Sequence, residues 1–209
     1  MKDKILYILL FFGMFLYLGT SVSVSAVEGP TAQLKPTLKN LTDLLADKSL
    51  KGDEHRTERR ARIMEAIKVG FDFQEMSKRI LGRTWNEIQD GDRKQFTELM
   101  TKLLENIYIG KLESYSGQEI EFLDERVKGN RAQVSTVVEN NGVKIPLHYI
   151  MILRSSKWMV YDINIEGVSL VKNYMEQFKA ILRKEKFPGL IKVLREKNQS
   201  FEVGSPEVK

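Results

Sequence analysis

The sequence predicts an α+β fold in which a curved antiparallel sheet of about four strands is covered by helices. Three observations carry this. Apolar residues recur at helical spacing through the first half of the chain. Between Gln118 and Ile165 the period changes to two and the residues become β-branched and aromatic. Helical spacing then returns from Val168. A sheet covered this way leaves room for an apolar pocket between the layers. The same aromatic and methionine stripes also describe an ordinary packed core, and periodicity cannot show a void.

At the N-terminus, Lys2 and Lys4 precede an apolar run from Ile5 to Leu18, followed by the small residues Ser21-Val22-Ser23-Val24-Ser25-Ala26. This is a signal-peptide layout. The run of about 14 residues is shorter than the roughly 20 that a membrane-crossing helix needs, and cleavage is expected after Ala26. An uncleaved anchor is the alternative, but no charged stop-transfer cluster follows the run directly. Residues 27–199 are then expected to form one α+β domain with an N-terminal helical segment, and residues 200–209 a flexible polar tail. The chain has no cysteine. A lipid-anchored N-terminus and disulfides are therefore excluded, and the core must hold itself together.

The first helix is predicted over Ala32–Leu50, with Leu34, Leu38, Leu41, Leu44 and Leu45 on one face and Pro36 near its start. A second, charged helix runs from Glu54 to Val69 and stops at Gly70. Asp72 is placed to cap a short helix carrying Met76, Ile80 and Leu81 that ends at Gly82, with Trp85 on the following turn. The strongest helical signal spans Asp90–Glu113, where Phe96, Leu99, Met100, Leu103, Leu104, Ile107 and Leu112 form one wide stripe. Four strands follow, over Gln118–Val127, Arg131–Glu139, Lys144–Arg154 and Lys157–Ile165. Gly129-Asn130, Asn141-Gly142 and Ser155-Ser156 form the turns of an antiparallel meander. A helix over Val168–Lys184 and a last apolar set, Leu190, Ile191 and Leu194, close the domain.

The formal net charge is +5. Loss of Lys2, Asp3 and Lys4 with the leader takes it to about +4, a mild basic excess. Such a balance suits nucleic acid or anionic lipid surfaces, and export argues against nucleic acid. Glu166 invites a reading as general acid or base, but no second carboxylate, His or activated nucleophile stands beside it in a recognised arrangement. A structural role is favoured: Gly167 would permit a strand-to-helix turn, and Glu166 or Ser169 would cap the helix. With His55 and His148 the only histidines and no cysteine, a zinc or copper site is not expected. No Gly-x-Ser-x-Gly elbow is present.

Several segments resemble the MlaC-like family of periplasmic phospholipid-binding proteins, also called toluene-tolerance proteins. They are Phe71-Asp72-Phe73 with Met76, Leu81-Gly82-Arg83-Thr84-Trp85, and Tyr115-Ser116-Gly117-Gln118. The longest is Val160-Tyr161-Asp162-Ile163-Asn164-Ile165-Glu166-Gly167-Val168-Ser169-Leu170-Val171, followed by Asn173-Tyr174 and Gln177-Phe178. Gly189-Leu190-Ile191, Leu194 and Glu196-Lys197-Asn198 extend the resemblance over about Thr57 to Asn198. Met175 departs from it, standing where the family often has a basic residue, and the first helix carries no recognised motif.

The resemblance implies a periplasmic, non-enzymatic carrier with bound phospholipid as cargo and no cofactor, monomeric by default. Its partners would be an inner-membrane ABC transporter with an MCE-type ring and an outer-membrane lipoprotein complex, and its task the maintenance of lipid asymmetry. An acyl-chain pocket would then be walled by the inner faces of sheet and helices. The candidates are Leu81, Trp85, Phe96, Leu99, Leu103, Tyr149, Met151, Val160, Val168, Val171, Tyr174 and Phe178. The alternative is an exported non-enzymatic scaffold with a fully packed interior.

Overall fold

The computed structural model describes residues 27–203 apart from Ser116 and Asn141. The expected leader, the last residues of the expected tail and part of the second hairpin turn lie outside the described residues. The order is α1 (Pro30–Ala46), α2 (Arg56–Gly70), α3 (Phe73–Leu81), α4 (Thr84–Glu87) and α5 (Asp90–Glu113). Then come β1 (Ile120–Lys128), β2 (Arg131–Asn140), β3 (Val143–Arg154), β4 (Lys157–Ile165), β5 (Val168–Ser169) and α6 (Leu170–Val203).

The fold class is the predicted one, with two differences of detail. The sheet has five strands in the order β1-β2-β3-β4-β5, all antiparallel. The fifth was missed because Glu166 and Gly167 both take positive φ, 50° and 87°. They turn the chain straight back on β4 as a primed two-residue hairpin rather than directly into a helix. Ser169 then caps α6 as expected, its hydroxyl oxygen accepting the Lys172 amide at 3.0 Å. The closing helical segments are joined in α6, which breaks at Lys186 (φ 59°, ψ −170°) beside Pro188 and reaches into the expected tail as far as Val203.

Pairing register puts one continuous apolar face on the sheet. Val134, Tyr149 and Ile163 stand abreast on β2, β3 and β4, as do Ala132, Met151 and Val160. A bulge beside Ile150/Met151 makes this possible, because the extra residue on β4 keeps both Val160 and Ile163 on the same side. Helix α1 lies across this face, burying Leu34 and Leu38 against it. It is pinned at its start by Glu125 of β1, whose carboxylate accepts the Thr31 amide at 2.7 Å, a negative charge at a helix N-terminus. The free edge of β4 is covered where Asp72 donates its amide to the Val160 carbonyl at 2.8 Å. Gly70 is required just before this point, since a Cβ there would fall 2.7 Å from the Thr37 methyl on α1.

A second core is wholly helical. Phe96 and Phe178 meet edge to face at 6.3 Å at the α5–α6 contact, and Met76, Ile80, Leu81 and Trp85 pack around them. Asn198 ties the returning arm of α6 to α5, donating to the Leu99 carbonyl at 3.0 Å and accepting from Asn106 at 3.2 Å.

Candidate functional site

Sheet core and helical core do not merge. Between them lies a cavity of about 390 Å³, within the range of roughly 300–1,000 Å³ common for small-molecule sites. Its floor is the end of the sheet where Ile145, Leu147 and Tyr149 of β3 face Ile163 and Ile165 of β4. Leu38 and Leu41 of α1 and Met64 and Ile67 of α2 form one wall. Phe71, Phe73 and Met76 form another, and the C-terminal half of α5 supplies Leu104, Tyr108, Ile109 and Leu112. Leu41, Ile67, Phe71, Phe73, Leu112, Leu147 and Ile163 are only half-buried. Leu41, Ile67 and Leu112 pack on a third buried cluster of Leu45, Ile63 and Ile109, Phe71, Leu147 and Ile163 pack on the sheet core and Phe73 on the helical core, and all of them border this space. Leu170, Glu105, Lys111 and Glu166 complete the lining, and the exposed Lys111 and Glu166 mark the mouth.

The structure brings one of the twelve expected pocket residues, Tyr149, into this wall. Leu81, Trp85, Phe96, Leu103, Val171, Tyr174 and Phe178 are buried in the helical core, with Leu99 packed against it. Met151 and Val160 lie under α1 in the sheet core, at the tightly covered end. Val168 is 56% exposed, because the β4–β5 hairpin turns it outward. The physical reason is that α5 presents two adjoining apolar faces. Phe96, Met100 and Leu103 turn to α3 and α6, Ile109 and Leu112 turn to the cavity, and Leu104 and Tyr108 lie on the seam, packed on the helical core and lining the cavity at once. A single wide stripe was visible in the sequence, and nothing local divides it. On β3, Ile145, Leu147 and Tyr149 fall at every second position, so that part of the wall is legible from strand alternation.

Electrostatics around the cavity are sparse. Burial pushes the Tyr149 hydroxyl up to about 12, with the Thr136 hydroxyl acting weakly the other way. Tyr108 is also raised by burial. Both rings are therefore neutral, and the floor carries no charge across the physiological range. At the end of α5 Glu113 accepts from Arg59 at 2.9 Å and Arg60 at 3.2 Å, both of α2. Burial alone would raise this carboxyl, but the two guanidiniums outweigh it and hold the pKa low. This clamp joins the two helices that supply Met64, Ile67, Ile109 and Leu112. Among the described residues no group of three or more His, Cys, Asp or Glu side chains could hold a metal ion, and no helix is long and apolar enough to cross a membrane.

Chemically, such a site offers apolar surface bordered by the charged Glu105, Lys111 and Glu166, with no nucleophile–base pair among its lining residues. The MlaC protein family matches residues 35–196 by sequence profile, taking in most of α1, where no motif was recognised. A relative from Haemophilus influenzae, the intermembrane phospholipid transport system binding protein MlaC, is 27% identical over 119 residues. That stretch is 54% of this chain and 56% of the relative, so the match spans about half the length of each. A solved structure of a phospholipid-binding protein from Ralstonia solanacearum, in complex with a phospholipid, has the same fold. It superposes with a TM-score of 0.78 at 24% identity, covering 84% of this chain and 99% of that one.

Proposed function

This chain belongs to the MlaC family, and we propose that it is a non-enzymatic carrier that holds phospholipid acyl chains in the cavity beneath α1 and α2. The observation that carries this is the enclosure itself: apolar side chains from α1, α2, α5 and the sheet converge on an unfilled space of about 390 Å³. The Haemophilus relative's role in intermembrane phospholipid transport and the lipid bound to the Ralstonia protein point the same way. The space is smaller than a whole two-chain phospholipid. Part of the cargo therefore stays at the mouth, with its head group beside Lys111 and Glu166.

The energetics agree with this role. A phospholipid with roughly thirty methylenes faces a barrier on the order of 20 kcal/mol on leaving a bilayer for water, at about 0.8 kcal/mol per CH₂. A carrier lowers that barrier by offering replacement apolar surface. Leu147, Tyr149, Ile163, Phe73, Leu104 and Tyr108 are the contacts we assign to the chains. In the wider scheme the protein works in the periplasm after removal of residues 1–26. There it exchanges lipid between an inner-membrane ABC transporter with an MCE-type ring and an outer-membrane lipoprotein complex. A passive carrier equilibrates lipid between its partners, so the direction of flow is set by them.

Native mass spectrometry of the protein purified without detergent, with extraction and identification of any bound lipid, tests this reading. Stoichiometric phospholipid supports it. A ligand-free mass that persists after incubation with phospholipid vesicles would overturn it in favour of a scaffold.

A further inference from the structure

Residues 179–197 contain seven lysines and arginines and two glutamates. Their net charge of +5 equals that of the entire chain, so the rest of the molecule sums to zero. All nine charged residues are exposed. Lys179 and Lys192 have acidic partners, Glu176 at 3.4 Å and Glu196 at 4.0 Å. Arg183, Lys184, Lys186, Arg195 and Lys197 have none among the described residues. A mixed, mutually neutralising helix face would not look like this.

The geometry holds these cations around a fixed corner. Helix α6 breaks at Lys186, whose positive φ of 59° is uncommon for a residue with a side chain. Pro188 cannot donate to the helix ladder, and Gly189 leaves no room for a Cβ against Glu185. Phe187 anchors the corner from inside, its ring 6.4 Å from that of Phe96. Basic side chains on the incoming and returning arms therefore gather around one rigid elbow.

Two further facts decide what the elbow meets. None of the exposed large hydrophobic residues falls within 179–197. It lacks the apolar or aromatic centre on which specific protein interfaces rely, and has no wedge for insertion into a membrane. A surface of this kind reads charge alone. The elbow also lies beside Asp92 and Gln95 near the start of α5, whereas the cavity mouth includes Lys111 near its end. That is about 28 Å along the helix at 1.5 Å per residue. Whatever binds the elbow leaves the mouth clear.

We propose that the α6 elbow is an electrostatic docking surface for anionic phospholipid bilayers, separate from the cargo cavity. It attaches the protein reversibly to a membrane while the mouth remains free for exchange. The attraction is worth about fivefold in partitioning per cation near an anionic surface, and weakens as salt shortens the Debye length.

The test is flotation of the purified protein with vesicles of phosphatidylcholine alone or with phosphatidylglycerol added, across a salt series. We expect binding only with phosphatidylglycerol, released by salt. It should fall by at least a hundredfold in the variant carrying Arg183→Gln, Lys184→Gln, Arg195→Gln and Lys197→Gln, all at exposed positions. A control variant, Lys35→Gln with Lys39→Gln on α1, should bind as the parent does. Absence of binding to phosphatidylglycerol vesicles would overturn the proposal. So would equal binding by the elbow variant, or attachment only to an acidic protein. Flotation reads attachment, and lipid recovered with the protein after salt release reads cargo, so the docking and carrier readings fail independently.

Discussion

Asp162 of β4 accepts the Ser169 hydroxyl at 2.6 Å and, with its other oxygen, the Val171 amide at 3.0 Å. A buried carboxylate from the sheet thus caps the first turn of α6 and fixes Leu170 in the cavity lining. Removing it strands a buried amide as well as a cap. Asp162→Ala should lower stability by on the order of 2–3 kcal/mol. Asp162→Asn should recover part of the loss, both read from urea unfolding midpoints at unchanged m-value.

Leu103 and Leu147 should respond in opposite ways to a charge. Leu103 is 1% exposed within the helical core, so Leu103→Asp places an unpaired carboxylate there and should unfold the domain. Half-buried Leu147 faces the cavity, where an ionised side chain can stay hydrated when no lipid is present. Leu147→Asp should keep the circular dichroism spectrum and a cooperative thermal transition while losing most bound lipid. Equal collapse of both variants would place Leu147 in a closed core.

How legible all this was in the sequence differs between layers. Element types followed from periodicity, since alternation in β3 and the stripe on α5 are local properties. The meander followed from its short turns. What was not legible is which apolar residues are left without partners. Phe96 and Leu112 sit on the same helix and read alike, yet one meets Phe178 and the other borders the cavity. The walls that α1 and α2 give the cavity are placed by contacts distant in sequence, such as Gly70 with Thr37 and Glu125 with Thr31. No window of sequence contains both members of such a pair. Val168 was misplaced for a different reason: Glu166 at positive φ is an uncommon choice, and it hid a hairpin.

Alkaline titration should expose the buried tyrosines. Tyr149 and Tyr174 are both pushed up to about 12, chiefly by burial. The unfolded chain gives up these protons near pH 10, so above that the folded state holds more protons and unfolding becomes easier. Stability from each is intact below about pH 10 and is lost as pH rises toward about 12, on the order of 2–3 kcal/mol for the fully buried Tyr149. Unfolding free energy measured across that window should fall, and Tyr149→Phe should flatten the fall.

The Glu113 clamp predicts a kinetic effect. Glu113→Gln removes the charge that Arg59 and Arg60 share and loosens α2 from α5. The cost should be on the order of 1–3 kcal/mol. Because both helices line the cavity, lipid release to acceptor vesicles should quicken by several-fold with cargo stoichiometry unchanged. Stopped-flow transfer of a fluorescent phospholipid checks this, and a rate equal to the parent's would remove the clamp from the exchange pathway.

Photo-crosslinking locates the acyl chain within the protein. A phospholipid with a photoreactive group midway along one chain is loaded from vesicles, activated, and its adducts located by peptide mass spectrometry. Adducts are expected on Ile145–Tyr149 of β3, on Leu104–Leu112 of α5 and on Phe71–Phe73. Labelling concentrated instead on Phe96, Phe178 and Leu190 would show that the helical core opens to take the lipid, and would contradict the assignment of the cavity as the binding site.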